Sequence, residues 1–101
     1  MYKVIVSEAA AADILYLKSY IKWTYDANAA ESIVNDIYEM ISSLDYSPAR
    51  FQVFKTNDKE SIRRVMVRKH NIFYSVNDLD KTVTILRILY AGIDTKQITI
   101  E

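Results

Sequence analysis

The chain has 101 residues, half of them hydrophobic, with thirteen basic and thirteen acidic side chains and no cysteine. That size and composition predict one domain over residues 1–101 with a real core, and they exclude disulfides, thiolate metal sites and a uniformly cationic nucleic-acid coat. No apolar run approaches about 18 residues and no apolar segment follows a basic N-terminus, so neither a membrane span nor export is indicated and the expected location is the cytoplasm.

In chain order, the β-branched run at residues 2–6 predicts a strand, and Ser7 stands as an N-cap where the alanines begin. A helix follows over residues 8–25. Ala10, Ile14, Leu17 and Ile21 form one stripe of it, while Tyr16, Tyr20 and Trp23 form a second about 110° around, leaving Lys18, Ser19 and Lys22 for water. A helix apolar on two sides either lies between two partners in its own fold or offers one side to another molecule. Asp26 caps a second helix over residues 27–44, with Ala30, Ile33, Val34, Ile37, Ile41 and Leu44 on one face and Asp26, Glu31, Asp36, Glu39 and Asp45 on the outer one. The short Tyr25-Asp26 junction predicts an antiparallel helical hairpin, ended by Pro48.

Residues 49–60 read as an irregular connection with a short extended piece at 51–54. Three runs of β-branched and aromatic residues follow, separated by breaks at Lys69-His70 and at residues 77–80, and they predict an antiparallel meander of strands over 62–68, 71–77 and 82–90. In the middle strand Ile72, Tyr74 and Val76 should face the helices, and Asn71, Phe73, Ser75 and Asn77 the solvent. The last strand is almost continuously apolar and so central. Arg87 interrupts it, either pointing inward to a carboxylate or outward to a polar face. Residues 95–101 form a further edge strand or a frayed tail. The expected core is Ile14, Leu17, Ile21, Ile33, Ile37, Ile41, Tyr74, Val76 and Ile85.

Charge is uneven along this frame. Seven basic residues between Arg50 and Lys69 stand against Asp58 and Glu60, a local +5, whereas residues 23–49 hold no Lys or Arg. The basic run is either a cationic surface or simply a solvated loop and strand edge.

The order of elements, the pair of strands IRRVMVRKHNIFYSV and the closing TILRILYAGID resemble the RelE/ParE superfamily of toxins from type II toxin-antitoxin systems, over residues 2–94. The most specific piece is the final strand with its small residues and closing acid, Arg87 to Asp94; a second is Arg63-Arg64 leading into Ile72-Phe73-Tyr74. The resemblance implies an α+β fold with an N-terminal strand and a helical hairpin packed on a small, mainly antiparallel sheet, in the order β-α-α-β-β-β. It also implies a cognate antitoxin, expected on Tyr16, Tyr20, Trp23 and Phe73, and a role such as plasmid stabilisation or growth arrest. ParE-like members inhibit DNA gyrase, which is the leading expectation here, with Lys55, Arg63, Arg64, Arg68 and Arg87 meeting the target and no direct DNA binding by the toxin alone. RelE-like members are ribosome-dependent mRNA endonucleases, the second expectation; an inactive toxin-fold binding module is the third.

Three departures speak against the nuclease: Asn71 and Ile93 stand where such members have arginine, and Tyr90 replaces a common histidine. Metal-free RNA cleavage needs an acid, a base and cations within reach of one phosphate. If this chain were a ribonuclease those groups would come from Lys55, Arg63, Arg64, His70, Arg87 and Tyr90. Of these residue types only histidine, here His70, suits proton transfer near neutrality when unperturbed. No Gly-rich phosphate loop, serine-triad context or metal-ligand cluster is present, so no cofactor or metal is expected.

Overall fold

The computed structural model describes residues 1–56, 61–93 and Ile100. Ser7 ends the strand β1 (Lys3–Val6) in an extended conformation, and its hydroxyl accepts from the amide of Ala10, so α1 (Glu8–Thr24) begins with one of its orphan donors satisfied. Asp26 does the same for α2 (Ala27–Ser43), accepting from Ala29 at 2.7 Å. With Tyr25 and Asp26 alone between them, the helices fold back on each other. Arg50, in a single 3-10 turn (Pro48–Arg50), closes the other end by donating to the carbonyls of Ser43, Tyr46 and Ser47. A cation there satisfies carbonyls that the end of a helix leaves unpaired.

The helical hairpin carries the chain from β1 back to the sheet in a crossover, which is what a parallel pair requires. β1 therefore lies parallel to β5 (Thr82–Tyr90), and the five strands run in the order β1-β5-β4-β3-β2, with β2 (Val53–Thr56), β3 (Ser61–Val67), β4 (His70–Asn77) and β5 antiparallel in turn. The short extended piece expected at 51–54 is thus a real edge strand, placed two residues later. Paired on both sides, β5 is interior to the sheet as its apolar run predicts.

The helices cover one side. Ile14, Leu17 and Ile21 of α1 and Val34, Ile37 and Ile41 of α2 pack on Val65, Ile72, Tyr74, Val83, Ile85 and Ile88. All nine expected core residues are in this layer, Ile33 and Val76 at its half-buried margin. The Tyr74 hydroxyl, buried among them, donates to the Pro48 carbonyl at 2.6 Å and ties the sheet to the end of the hairpin. Burial raises the Tyr74 pKa, partly offset by the nearby cations Arg63 and Arg50.

The opposite side corrects the expected alternation. Phe73 is fully buried and Asn71 and Ser75 nearly so, because a second apolar cluster of Ile62, Phe73, Leu86, Leu89 and Ile100 forms there, with Phe54 edge-on to Phe73 at 4.9 Å. A sheet covered on both sides explains why β5 reads as apolar throughout. The ladder steps from Tyr74↔Ile85 to Phe73↔Arg87, so β5 holds one extra residue, a β-bulge. Ile85 and Ile88, three apart, consequently both reach the helical layer.

The first hairpin turn is also displaced by one residue. Arg68 and Lys69, at φ 50° and 70°, form its two-residue tip, and His70 belongs to β4 opposite Val67. Positive φ at both central positions is the type I′ geometry whose twist suits a β-hairpin. Asp94 and residues 95–99 and 101 of the expected tail lie outside the described residues, as do residues 57–60 of the loop. No described helix is long and apolar enough to cross a membrane.

Candidate functional site

Cations that are neighbours in sequence are separated by the pleat. Arg63 pairs with Tyr74 on the helical side of the sheet and donates to the Phe51 carbonyl at 2.7 Å. Arg64, opposite Phe73, emerges on the far side, where its guanidinium lies 5.3 Å from the centre of the Phe54 ring. Lys55, opposite Ile62, shares that side and is exposed. Arg68 sits at the hairpin tip and reaches back to Asp36 of α2 at 2.7 Å, both groups nearly half exposed.

Arg87 answers the question that alternation left open: it points to a carboxylate. Its Nε and one terminal nitrogen donate to the two oxygens of Asp13 at 2.7 and 2.9 Å, and the same carboxylate accepts from the Ile88 amide at 2.9 Å. The hydrogen bond to Asp13 raises the Arg87 pKa further, against partial burial. Asp13 thereby ties α1 to the bulged stretch of β5. Sequence reasoning missed Asp13, although an acid beside the buried stripe of a helix was a signal that something cationic lay beneath it.

His70 and Tyr90 do come together, as partners in the ladder with ring centroids 5.8 Å apart. Instead of the exposed turn position expected for it, His70 is 9 % exposed, and its Nδ1 lies 3.0 Å from the Arg68 carbonyl, to which it must donate. Tyr90 is half exposed, with Gly92 so close that an added Cβ would stand 2.9 Å from a ring carbon. Being in register with Ile72 and Ile88, this pair belongs to the helical side, across the sheet from Arg64 and Lys55. The candidate acid-base residues and the far-side cations therefore do not converge on one point. Among the described residues no three His, Asp or Glu side chains gather into a metal-binding group.

The second stripe of α1 is open. Tyr16, Tyr20 and Trp23 are 73, 57 and 91 % exposed, the two tyrosine rings stacked with centroids 6.4 Å apart. Contiguous exposed apolar surface marks interaction sites on soluble proteins, so this row is a candidate surface for a partner. Phe73, expected to join them, is buried on the other side of the sheet and offers no surface.

Comparison with known proteins agrees with this architecture. No functionally curated sequence matches the chain. Among solved structures, the ParDE toxin-antitoxin system of P. aeruginosa superposes with a TM-score of 0.74 at 19 % identity, over 91 % of this chain and 98 % of that one. The archaeal RelE-RelB complex of Pyrococcus horikoshii follows at 0.69 and 18 %, over 92 % and 98 % of the two chains. The intact E. coli RelBE complex gives 0.60 at 14 % identity, over 92 % and 100 %. At such identities the likeness is one of fold. The sequence profile described as "ParE toxin of type II toxin-antitoxin system, parDE" matches residues 4–94, nearly the whole frame built above from β1 to the end of β5, and the chain belongs to that family of toxins.

Proposed function

We propose that this toxin acts by binding, impeding DNA gyrase in the cytoplasm, and is neutralised by a cognate antitoxin that docks on Tyr16, Tyr20 and Trp23. The observation that supports a binding mode is the scatter of the cleavage groups: His70, Tyr90 and Arg63 on one side of the sheet, with Arg63 turned to the Phe51 carbonyl, Arg64 and Lys55 on the other, and Arg87 held by Asp13. A phosphoryl-transfer site needs acid, base and cations aimed at one phosphate, and missing one donor costs roughly 100- to 1000-fold in rate. The antitoxin reading is supported by the exposed stripe and by the solved relatives, which are themselves toxin-antitoxin complexes. An amphipathic antitoxin segment would cover that stripe, with its basic groups beside the acidic outer face of α2.

The RelE-like alternative, ribosome-dependent mRNA cleavage, is favoured by the two far-side cations Lys55 and Arg64. Induced expression separates the two. Intact messages, an induced DNA-damage response and loss of supercoiling by purified gyrase are expected; codon-positioned cuts in translated messages, abolished by Arg64→Ala, would sink the gyrase reading.

A further inference from the structure

The two edges of the sheet are not alike. At one, β2 carries a register shift between Val53 and Lys55 and exposes that lysine, and both features discourage a further strand from pairing there. At the other, β1 has no such protection. Val4, Ile5 and Val6 hold no charge, proline or bulge, and Ile5 and Val6 are 40 and 37 % exposed. Backbone direction alternates along this strand. Lys3 and Ser7 donate to the carbonyls of Lys81 and Ile85 on the β5 side, so Ile5 between them also turns toward β5, while Val4 and Val6 turn their amides and carbonyls away from the sheet. Among the described residues no strand lies there. Outward N–H and C=O groups on an apolar edge are a template for one more strand.

The sequence of this edge selects its occupant. Val4-Ile5-Val6 reads the same in either direction. Two copies related by a two-fold axis at Ile5 therefore run antiparallel with Val4 of each opposite Val6 of the other. Those are the residues whose backbone groups point outward, so each such pair exchanges both of its N–H···O bonds. Ile5 meets Ile5 of the second copy as a non-hydrogen-bonded pair with Cα atoms about 4.5 Å apart, the arrangement in which side chains approach most closely. Lys3 falls opposite Ser7, and the two Lys3 residues stand about 13 Å apart, beyond the screening length at physiological salt. Other symmetric registers lose a pair. One centred on Val4 sets Val6 against Tyr2, whose amide is already given to the Asp45 carbonyl, and one centred on Val6 sets Val4 against Glu8, which is helical.

From this arrangement we infer that β1 is a self-association surface: two copies of this chain pair β1 to β1 about Ile5 and join their sheets into one. The strands alone cover less than the roughly 1,200 Å² of a stable interface, so the pair is reversible, with a dissociation constant on the order of 10 to 100 μM. A strand from a different protein could take the same backbone bonds. The palindrome and the separation of the lysines are features that a second copy uses and a foreign strand does not.

Sedimentation velocity on the purified full chain tests this, together with single cysteines placed in a chain that has none of its own. The wild type is expected to pass from monomer to dimer between about 1 and 500 μM. Ile5→Lys sets two ammonium groups face to face and should remain monomeric over that range, with a Tm within about 4 °C of the wild type because the position is exposed. Under mild air oxidation Ile5→Cys should form a covalent dimer at least about tenfold faster than Lys3→Cys, since the paired Cα atoms at position 5 lie within the span of a disulfide and the sulfur at position 3 faces Ser7. A wild type that is monomeric at every concentration, a dimer that survives Ile5→Lys, or equal cross-linking of the two cysteine variants overturns the pairing. So does a monomer whose affinity for the antitoxin falls in Ile5→Lys, because the edge then belongs to that partner. If Ile5→Lys fails to fold, the two cysteine variants decide.

Discussion

Asp13 spends one carboxylate on three donors, two from Arg87 and one from the Ile88 amide, and both side chains of the pair are less than a quarter exposed. Removing one partner of such a pair strands the other away from water, so Asp13→Ala is expected to cost about 3 kcal/mol. For a domain of this size that lowers Tm by more than about 10 °C, measurable by thermal unfolding. Toxicity per folded molecule should change little, since in the proposed function Arg87 is a structural cation. Tyr74 makes a second testable anchor. Its raised pKa means the folded state holds the phenolic proton more tightly than the unfolded chain, where it leaves near pH 10. The stabilisation is therefore complete below about pH 10 and is lost as pH climbs through the raised folded value. Urea midpoints between pH 8 and 11 should fall steeply in the wild type and less so in Tyr74→Phe, which at neutral pH costs about 1 kcal/mol by unpairing the Pro48 carbonyl.

At the scale of elements, the Arg68-Lys69 tip is built against local preference. Each non-glycine residue in the left-handed region costs about 1 kcal/mol, and the favoured pair for this turn is Asn-Gly. Replacing Arg68-Lys69 by Asn-Gly gives up the Arg68-Asp36 ion pair, which at this exposure contributes no more than about 0.5 kcal/mol. Relief of strain outweighs it, and the guanidinium-chloride midpoint should rise by the equivalent of about 1 kcal/mol. The outer stripe of α1 behaves in the opposite sense. Trp23 is almost wholly in solvent, so Trp23→Ala should alter stability by less than about 0.5 kcal/mol. If the antitoxin seats there, the same change weakens its affinity by roughly 2 kcal/mol, about thirtyfold, in a titration of the purified pair. An unchanged affinity moves the antitoxin to another surface.

For the whole molecule, a formal net charge of zero sets the expected response to salt. A protein neutralising 6 to 10 phosphates loses roughly a thousandfold or more in affinity between 50 and 200 mM salt, whereas one that meets a protein target largely through apolar contacts should lose less than about tenfold. Titrating the gyrase inhibition of the proposed function across that range distinguishes the two. The frame of the toxin was legible because it rests on local periodicities: the 3.6-residue stripes of α1 and α2, the caps Ser7 and Asp26, and the Ile72-Tyr74 alternation each state which side is buried. That both sides of the sheet are covered was not legible, since Phe54 and Ile100 reach Phe73 from distant parts of the chain and no local pattern records their arrival. The same holds for the basic run. Sequence grouped Arg63, Arg64, Arg68 and Arg87 as one cationic set, but the pleat sends adjacent residues to opposite sides, and Asp13 and Asp36, on helices far away in sequence, claim two of the four. Residue periodicity determined the elements and their inner faces; only the tertiary structure decided which charges remain free to meet a partner, because pairing depends on contacts between segments more than thirty residues apart.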